Sequence, residues 1–293
     1  MKIDKSEVSF YNDDCFNVMS KIPDNSIPLI CTDPPYGIGF TGDQSADKTW
    51  DNFSDKDYYD FMVKFLTEAK RILTDNGTIW LFCGPTKIPD IFRAIEQAGL
   101  HNHLENWLIY CRPKGRGAKT KMKSQREDCL HITKSDTYTW HNIEYLREVI
   151  VPYMVDGKPR GWALDQTTGL RVRWTGIGNV SFFTPPFYLN KFEPQIHSCQ
   201  KPVLLFSELI MMSSDKGETV LDPFAGSAAS GIASVICDRN WIGCEQEQEM
   251  YNKANNWLNH IKWSGVNDYL KKRVSSSEKG FKFGYEVRKL MPK

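Results

Sequence analysis

Long apolar runs are scarce in this chain. The longest, Val203 to Met212, is interrupted by Ser207 and Glu208, and Met1 to Phe10 is mostly polar, so neither a membrane span nor a signal peptide is expected. Paired cysteines are lacking as well. The eight cysteines (positions 15, 31, 83, 111, 129, 199, 237 and 244) form no Cys-x-x-Cys pair and no regular spacing, which argues against a disulfide framework or a zinc site and fits a reducing cytoplasm. His101 with His103, and His197 with Cys199, lie close together, but neither has a second pair at ligand spacing, so no metal is expected. Compositional bias is absent too: 41% hydrophobic and 25% charged residues exclude a disordered, collagen-like or coiled-coil chain. At roughly 150 residues per domain, a length of 293 suggests two small domains or one large domain with an insertion.

The net charge is only +1, yet charge is unevenly placed. Residues 1–60 hold five basic and twelve acidic residues, whereas 112–126 (RPKGRGAKTKMKSQR) hold seven basic and none acidic. Such a run needs a counter-ion, and its Gly and small polar residues suit a flexible segment that follows phosphates. A basic tail, 262–293, has nine basic and three acidic residues; a solvated face explains it equally well.

Short strand-like runs alternate with helical stretches, the pattern of a mostly parallel α/β sheet. Strands are expected at Val8–Tyr11, Leu29–Cys31, Thr78–Cys83, Asn106–Cys111, Cys129–Thr133, Val220–Asp222 and Trp241–Glu245. Tyr58, Phe61, Met62, Phe65, Leu66, Ala69, Ile72 and Leu73 recur at three and four residues, giving one apolar helical face ended by Asn76 and Gly77. Further helices are expected at 87–98, 202–213, 227–237 and 247–260. The rhythm breaks over 135–194, where Tyr138, Trp140, Tyr145, Tyr153, Trp162 and Trp174 stand among Gly and Pro turns. These rings either form a small core of an inserted unit or, with Arg160, Arg171 and Arg173, a nucleic-acid surface.

Two motifs carry chemistry. Thr32-Asp33-Pro34-Pro35-Tyr36-Gly37 follows a strand, and the carboxyl ends of strands in open α/β sheets are where ligands bind. An amine on a heteroaromatic ring is a poor nucleophile because its lone pair is delocalised. If the Asp33 carboxylate and the Pro34 carbonyl each accept one N–H, that nitrogen is drawn toward tetrahedral geometry. Pro34 and Pro35 keep the carbonyl aimed, and Tyr36 can stack on the ring. A duplex base must be flipped out to reach such a site. The second motif, Val220 to Gly231, turns from a strand through Asp222, Phe224, Ala225, Gly226 and Ser227 into a helix, and the next strand ends in Glu245, where nucleotide folds hold ribose hydroxyls. No Walker Lys-Ser/Thr or strict Gly-x-Gly-x-x-Gly is present, so an ATPase or NAD enzyme fits poorly.

Together these residues resemble the beta group of S-adenosylmethionine-dependent DNA amino-methyltransferases, which modify adenine N6 or cytosine N4. The order matches: Asp-Pro-Pro-Tyr, then a recognition insert, then the cofactor loop. Asn12-Asp13-Asp14-Cys15, Arg71-Ile72-Leu73 before Gly77-Thr78-Ile79, and His197-Ser198-Cys199-Gln200-Lys201-Pro202 add to it. The likeness covers roughly 1–134 and 195–260.

That resemblance implies a class I methyltransferase fold, an α/β seven-stranded mixed sheet with helices on both faces and a target-recognition insert. Residues 1–134 and 195–261 would form the catalytic domain, 135–194 the insert and 262–293 the tail. Asp33, Pro34, Pro35 and Tyr36 would be catalytic. Asp14 and Cys15 would meet the cofactor adenine, and Glu245 the ribose. Asp222, Phe224, Ala225, Gly226 and Ser227 would line the methionine end, with Lys201 and Pro202 closing the pocket. Lys114, Arg116, Lys119, Lys121, Lys123 and Arg126, with Arg171 and Arg173 of the insert, would contact double-stranded DNA. Gly37 to Asp51 matches the family's mobile segment over the flipped base. Where the family often has Gly-Ser-Gly, this chain has Gly226-Ser227-Ala228, a methyl group expected to narrow the pocket or weaken cofactor binding. The reading is site-specific methylation of adenine N6, with cytosine N4 as the near rival. RNA or a glutamine side chain is a more distant substrate, and a DNA-binding protein that has lost catalysis is the rival from another class. The family leaves room for a homodimer and for a restriction endonuclease partner.

Overall fold

A computed structural model of the chain describes residues 2–3, 6–40, 51–100, 103–116, 119–120, 122–149, 153–166, 169–182, 193–260 and 285–286. For 2–3, 113–116, 144–148, 182, 260 and 285–286 it describes the backbone alone. Lys121, residues 41–50 of the expected mobile segment, and the tail 262–293 apart from two residues lie outside the described residues.

The chain runs through β1 (Lys2–Ile3), β2 (Ser6–Tyr11), α1 (Cys15–Met19), β3 (Ile27–Thr32), α2 (Asp55–Ile72), β4 (Leu73–Cys83) and α3 (Ile88–Gln97). It continues through β5 (Leu104–Arg116), β6 (Ser124–Thr133), β7 (Glu144–Glu148), β8 (Met154–Val155), β9 (Lys158–Pro159), β10 (Ala163–Leu164), β11 (Arg171–Gly176) and β12 (Val180–Phe182). The last elements are α4 (Val203–Ser213), β13 (Thr219–Asp222), α5 (Ala229–Ile236), β14 (Asn240–Cys244), α6 (Gln248–His260) and β15 (Tyr285–Glu286). Every expected strand and helix is present, within a few residues of its expected bounds.

The main sheet has the order β1-β2-β14-β13-β3-β4-β6-β5-β12. Its seven central strands are the expected mixed sheet, and two short edge strands extend it. From β2 to β4 neighbours run parallel, while β6 is antiparallel to both β4 and β5. From β3 the chain proceeds to β4 on one side, and from β13 to β14 on the other. Since β3 and β13 are neighbours, a crevice opens at their carboxyl ends, the position where open α/β sheets bind ligands.

Helix α2 shows how composition sets packing. Its N-cap Ser54 accepts from Asp57 N, acidic residues occupy its first turn and Lys70 and Arg71 its last, matching the helix dipole. Tyr58, Met62, Phe65, Leu66, Ala69 and Ile72 are fully buried against the sheet, so Leu66→Ala would cost about 2–5 kcal/mol. Arg71 donates to the Met19 and Ile22 carbonyls at 2.9 and 3.0 Å, fastening the helix end to the turn before β3. The helix stops at Ile72, earlier than its apolar period suggested. Leu73 is already extended and pairs with Ile27, so Asn76 and Gly77 lie inside β4 and do not cap the helix. Sheet pairing outweighs the helical period there.

The chain divides into two compact units, Met1–His141 with Asn179–Ile261, and Asn142–Gly178 with Lys262–Lys293. Thus β12, from the far end of the expected insert, is an edge of the main sheet, paired with β5. Tyr138 and Trp140 also belong to the first unit, where they pack around His131, itself stacked on Trp80 at 4.3 Å between ring centroids. The second unit has an antiparallel sheet of order β10-β11-β7-β15 and the hairpin β8–β9. Among its described side chains none is buried; Trp174 is 52% exposed and Tyr153 65%. Trp162 donates to the Tyr153 carbonyl at 3.0 Å, and the Arg171 guanidinium lies 5.7 Å from the Trp162 ring centroid. These aromatics therefore do not fill a core. No helix among the described residues is long and apolar enough to cross a membrane.

Candidate active site

Both motifs open into one cavity of about 910 Å³ at the crevice between β3 and β13. At its first end, β3 delivers Asp33 into the Pro34-Pro35 turn. Gly37 follows with φ +62°, and a Cβ there would sit 2.5 Å from the Tyr58 ring, so only glycine fits. The Asp51 carboxylate accepts from Gly37 N at 2.7 Å, Ile38 N at 3.2 Å and Phe40 N at 2.8 Å. This buried aspartate ties together the two ends of the segment 37–51.

The Asp33 carboxylate is held on both oxygens. Tyr36 Oη donates to Oδ1 at 2.7 Å, and Lys201 Nζ, from the turn before α4, donates to Oδ2. Lys201 also lies 3.0 Å from Glu127 on β6 and 3.2 Å from Tyr36 Oη, and Glu127 lies 3.3 Å from Arg112 on β5. Arg112, Glu127, Lys201 and Asp33 thus form a row of alternating charges along the cavity. Burial pushes the Asp33 carboxyl above its ordinary range against the pull of Lys201. Burial acts on Glu127 likewise, but Lys201 and Arg112 together hold it below the usual value. Lys201 stays charged: burial would lower it, and the two carboxylates raise it.

The second end is a strand–turn–helix. Asp222 closes β13 with its carboxylate bonded to Thr32 Oγ1 and Ser230 Oγ, both at 2.5 Å, and to Phe224 N at 3.1 Å. Burial pushes its carboxyl up to about 6. Its partners join β3, β13 and α5, so Asp222 shapes the turn. Phe224 packs on Phe61 and Phe65 of α2 at 5.7 and 5.3 Å. Gly226, at φ +49°, donates its N–H to Glu245 Oε2 at 3.0 Å, and Glu247 N donates to Oε1 at 2.8 Å. Burial raises the Glu245 carboxyl above its usual range. Asp14 caps α1 through Oδ1, at 2.8 Å from Phe16 N, and both it and the buried Cys15 line the cavity.

Ala228, the departure from Gly-Ser-Gly, has φ +61° at the start of α5 and is fully buried. It does not line the cavity. Its methyl group therefore acts on backbone strain, about 1–2 kcal/mol for a left-handed L-residue, and leaves the cavity's volume unchanged.

Asp14, Cys15, Asp33, Pro34, Pro35, Tyr36, Lys201, Asp222, Phe224, Ala225, Gly226, Ser227 and Glu245 are brought together around this cavity. Pro202, buried beside it, supplies the N-cap position of α4. Lys201 sits against Asp33 at the first end. The flanks of the basic run are strand, β5 up to Arg116 and β6 from Ser124, with Arg116 opposite Ser124; residues 117, 118 and 121 lie outside the described residues. Lys119 and Lys123 are exposed between these two strands, and Lys114 and Arg116 belong to β5. Arg126 lies 3.3 Å from Asp128 and lines the cavity. Arg171 and Arg173 lie on β11 of the second unit, exposed. Glu127 was not marked by the sequence as a site residue, and its only trace was an acidic pair directly after the basic run. Arg112 stood at the start of that run and Asp51 at the end of the expected mobile segment, neither with a role in the cavity.

A family model described as DNA methylase, N6_N4_Mtase, matches residues 27–256. The Type II methyltransferase M.HpaI of Haemophilus parainfluenzae is 29% identical over 80% of this chain and 69% of its own length. M2.MboI of Moraxella bovis, also a Type II methyltransferase, is 29% identical over 84% and 85%. Among solved structures, the cytosine-N4-specific PvuII DNA methyltransferase superposes with TM-score 0.63 over 91% of this chain and 92% of its own, at 15% identity. The complex of M1.HpyAVI with SAM superposes with TM-score 0.56 over 86% and 99%, at 20% identity. With the model spanning most of the chain, including the Asp33 motif and the Gly226–Glu245 turn, this protein belongs to the N6/N4 family of S-adenosylmethionine-dependent DNA methylases.

Proposed function

We propose that this enzyme methylates the exocyclic N6 of a flipped adenine at a specific site in double-stranded DNA. The observation that carries the reading is the fixed Asp33 carboxylate at the end of β3, facing the same cavity as the Gly226–Glu245 turn. The residues fit the cofactor. A cavity of 910 Å³ is at the upper end of the roughly 300–1,000 Å³ of small-molecule sites, which leaves room for a cofactor and a base. Glu245, ordered by two backbone N–H groups, would take the ribose diol through its remaining lone pairs. Asp14 and Cys15 would meet the adenine, and Phe224 with Ala225, Gly226 and Ser227 the amino-acid end.

S-adenosylmethionine supplies an electrophilic methyl group on a sulfonium sulfur. The chain's part is to position the attacking amine: Asp33 and the Pro34 carbonyl accept its two N–H bonds, and Tyr36 stacks on the ring. With the cofactor bound, the nitrogen lone pair would form the new N–C bond as the C–S bond breaks, and the nitrogen would then lose one proton to solvent. Exposed Lys119 and Lys123 between β5 and β6, and Arg171 and Arg173 beside exposed Trp174, supply cations and rings of the kind that hold nucleic acid. A cytoplasmic enzyme with free thiols, paired with a restriction endonuclease and self-associating as a dimer, completes the reading.

The test is mass spectrometry of nucleosides from DNA treated with the enzyme. N6-methyladenine is expected; N4-methylcytosine alone would keep the chemistry and change the base, because both bases present an exocyclic amine to the same acceptors.

A further inference from the structure

Asp33 has to satisfy two opposing demands. As an acceptor for an amine it must be ionised, and burial works against that. An ionised carboxylate neutralised outright by an adjacent ammonium, however, is a weak acceptor for a neutral N–H. In the cavity Lys201, only 5% exposed, is shared: it bonds Asp33 Oδ2 and lies 3.0 Å from Glu127, which Arg112 holds from its other side at 3.3 Å. The groups come from four separate elements, β3, β5, β6 and the turn before α4, and all line the cavity wall beside the acceptor.

We infer that Lys201 and Glu127 are positioning residues that set the basicity of Asp33: the Lys201 ammonium keeps the acceptor ionised, and Glu127 draws off part of that ammonium's charge so that Asp33 still attracts the amine. The inference rests on the reading of Asp33 as the amine's acceptor.

The remaining titratable neighbours do not compete. Tyr36, Tyr58, Cys31, Cys83, Cys129 and Cys199 face Asp33 or Lys201, and Tyr110 faces Glu127; burial raises them all above their usual values, so they are neutral at working pH. Asp222 faces Asp33 from β13, with its carboxylate bonded to Thr32, Ser230 and Phe224. The charges that act on Asp33 are therefore Lys201, Glu127 with its Arg112, and Asp222.

The two groups have opposite signs, and so have the consequences of removing them. Turnover is lost in acid as Asp33 takes up a proton. Lys201→Met removes the charge that opposes protonation, so the acid limb of kcat should move to higher pH by about one unit or more. Glu127→Gln removes a neighbouring negative charge. Its acid limb should move to lower pH, while plateau kcat falls roughly three- to tenfold because the acceptor is less basic. Lys201→Arg keeps the charge and should hold the wild-type limb.

The experiment measures total labelled methyl transferred to DNA across pH, so that its reading is independent of which base is modified. Thermal unfolding and S-adenosylmethionine titration verify that each variant is folded. Opposite shifts of the two limbs support the inference. Shifts in the same direction, or loss of activity at every pH with unmoved limbs, overturn it, because a merely structural pair would behave that way. Asp33→Ala separates this result from the underlying reading: full turnover there overturns the acceptor role itself, whereas an inactive Asp33→Ala beside unshifted limbs overturns only the roles of Lys201 and Glu127.

Discussion

At one end of the cavity Glu245 meets Gly226 N across 19 residues and Asp222 meets Ser230 across 8; at the other, Lys201 reaches Asp33 across 168. The Gly226–Glu245 end is largely a strand, a turn and a helix, and the donors that hold Glu245 are backbone N–H groups, present wherever such a turn forms. The Asp33 end consists of side chains from β5, β6 and the turn before α4 converging on the end of β3. A site built on backbone depends on local conformation. One built on a row of charges depends on the placement of every strand that contributes to it, and each buried member is costly without its neighbour.

Removing Asp33 should separate the two ends most sharply. Asp33→Ala is expected to lower methyl transfer by about 10²- to 10³-fold with S-adenosylmethionine affinity unchanged, as read by single-turnover transfer and calorimetry. A parallel loss of affinity would mean that the ends are one unit.

Strand β6 carries Glu127 and, near its end, the fully buried His131, whose imidazole burial lowers from 6.5 to about 4. The unfolded chain takes up this proton near pH 6.5 and the native chain only near 4. Stability should therefore be complete above 6.5 and decline as pH falls to 4, by about 3 kcal/mol in total. Denaturant unfolding at stepped pH checks this, and His131→Phe should flatten the decline. An unchanged slope in that variant would relieve β6 of the role.

Weaker effects are expected where backbone does the holding. Glu245→Ala should weaken S-adenosylmethionine binding by about 1–3 kcal/mol and leave turnover at saturating cofactor near normal. A large fall in saturated kcat would show that this end reaches the chemistry. Smallest is Ala228→Gly. Relief of the left-handed strain, offset by the greater freedom of an unfolded glycine, should raise stability by about 0.5–1 kcal/mol, visible as a higher Tm. Unchanged cofactor affinity would accompany it, since Ala228 is not among the residues that line the cavity.

Much of this architecture was legible beforehand because its signals are periodic or local. The three- and four-residue spacing of Tyr58, Met62, Phe65, Leu66 and Ala69 is a helical face in any context, and strand–turn–helix around Gly226 needs only its own small residues. Errors arose where a neighbour overruled the local pattern. Leu73 continues the helical period but pairs with Ile27, and the flanks of the basic run, up to Arg116 and from Ser124, are strand because β5 and β6 pair there. Tyr36 was expected to offer a ring; its hydroxyl also bonds Asp33, a contact set by the fold of the turn.

The sequence by itself determined the strands and helices and the glycine turns, and it singled out Asp33 as the carboxylate proposed to accept the amine, since backbone preferences and apolar spacing act over a few residues. Tertiary structure alone decided what that carboxylate feels. Asp33, Lys201 and the pair Arg112 and Glu127 are far apart along the chain, and an ion pair contributes through distance and burial, quantities that exist only once β3, β5, β6 and the start of α4 have met around one cavity.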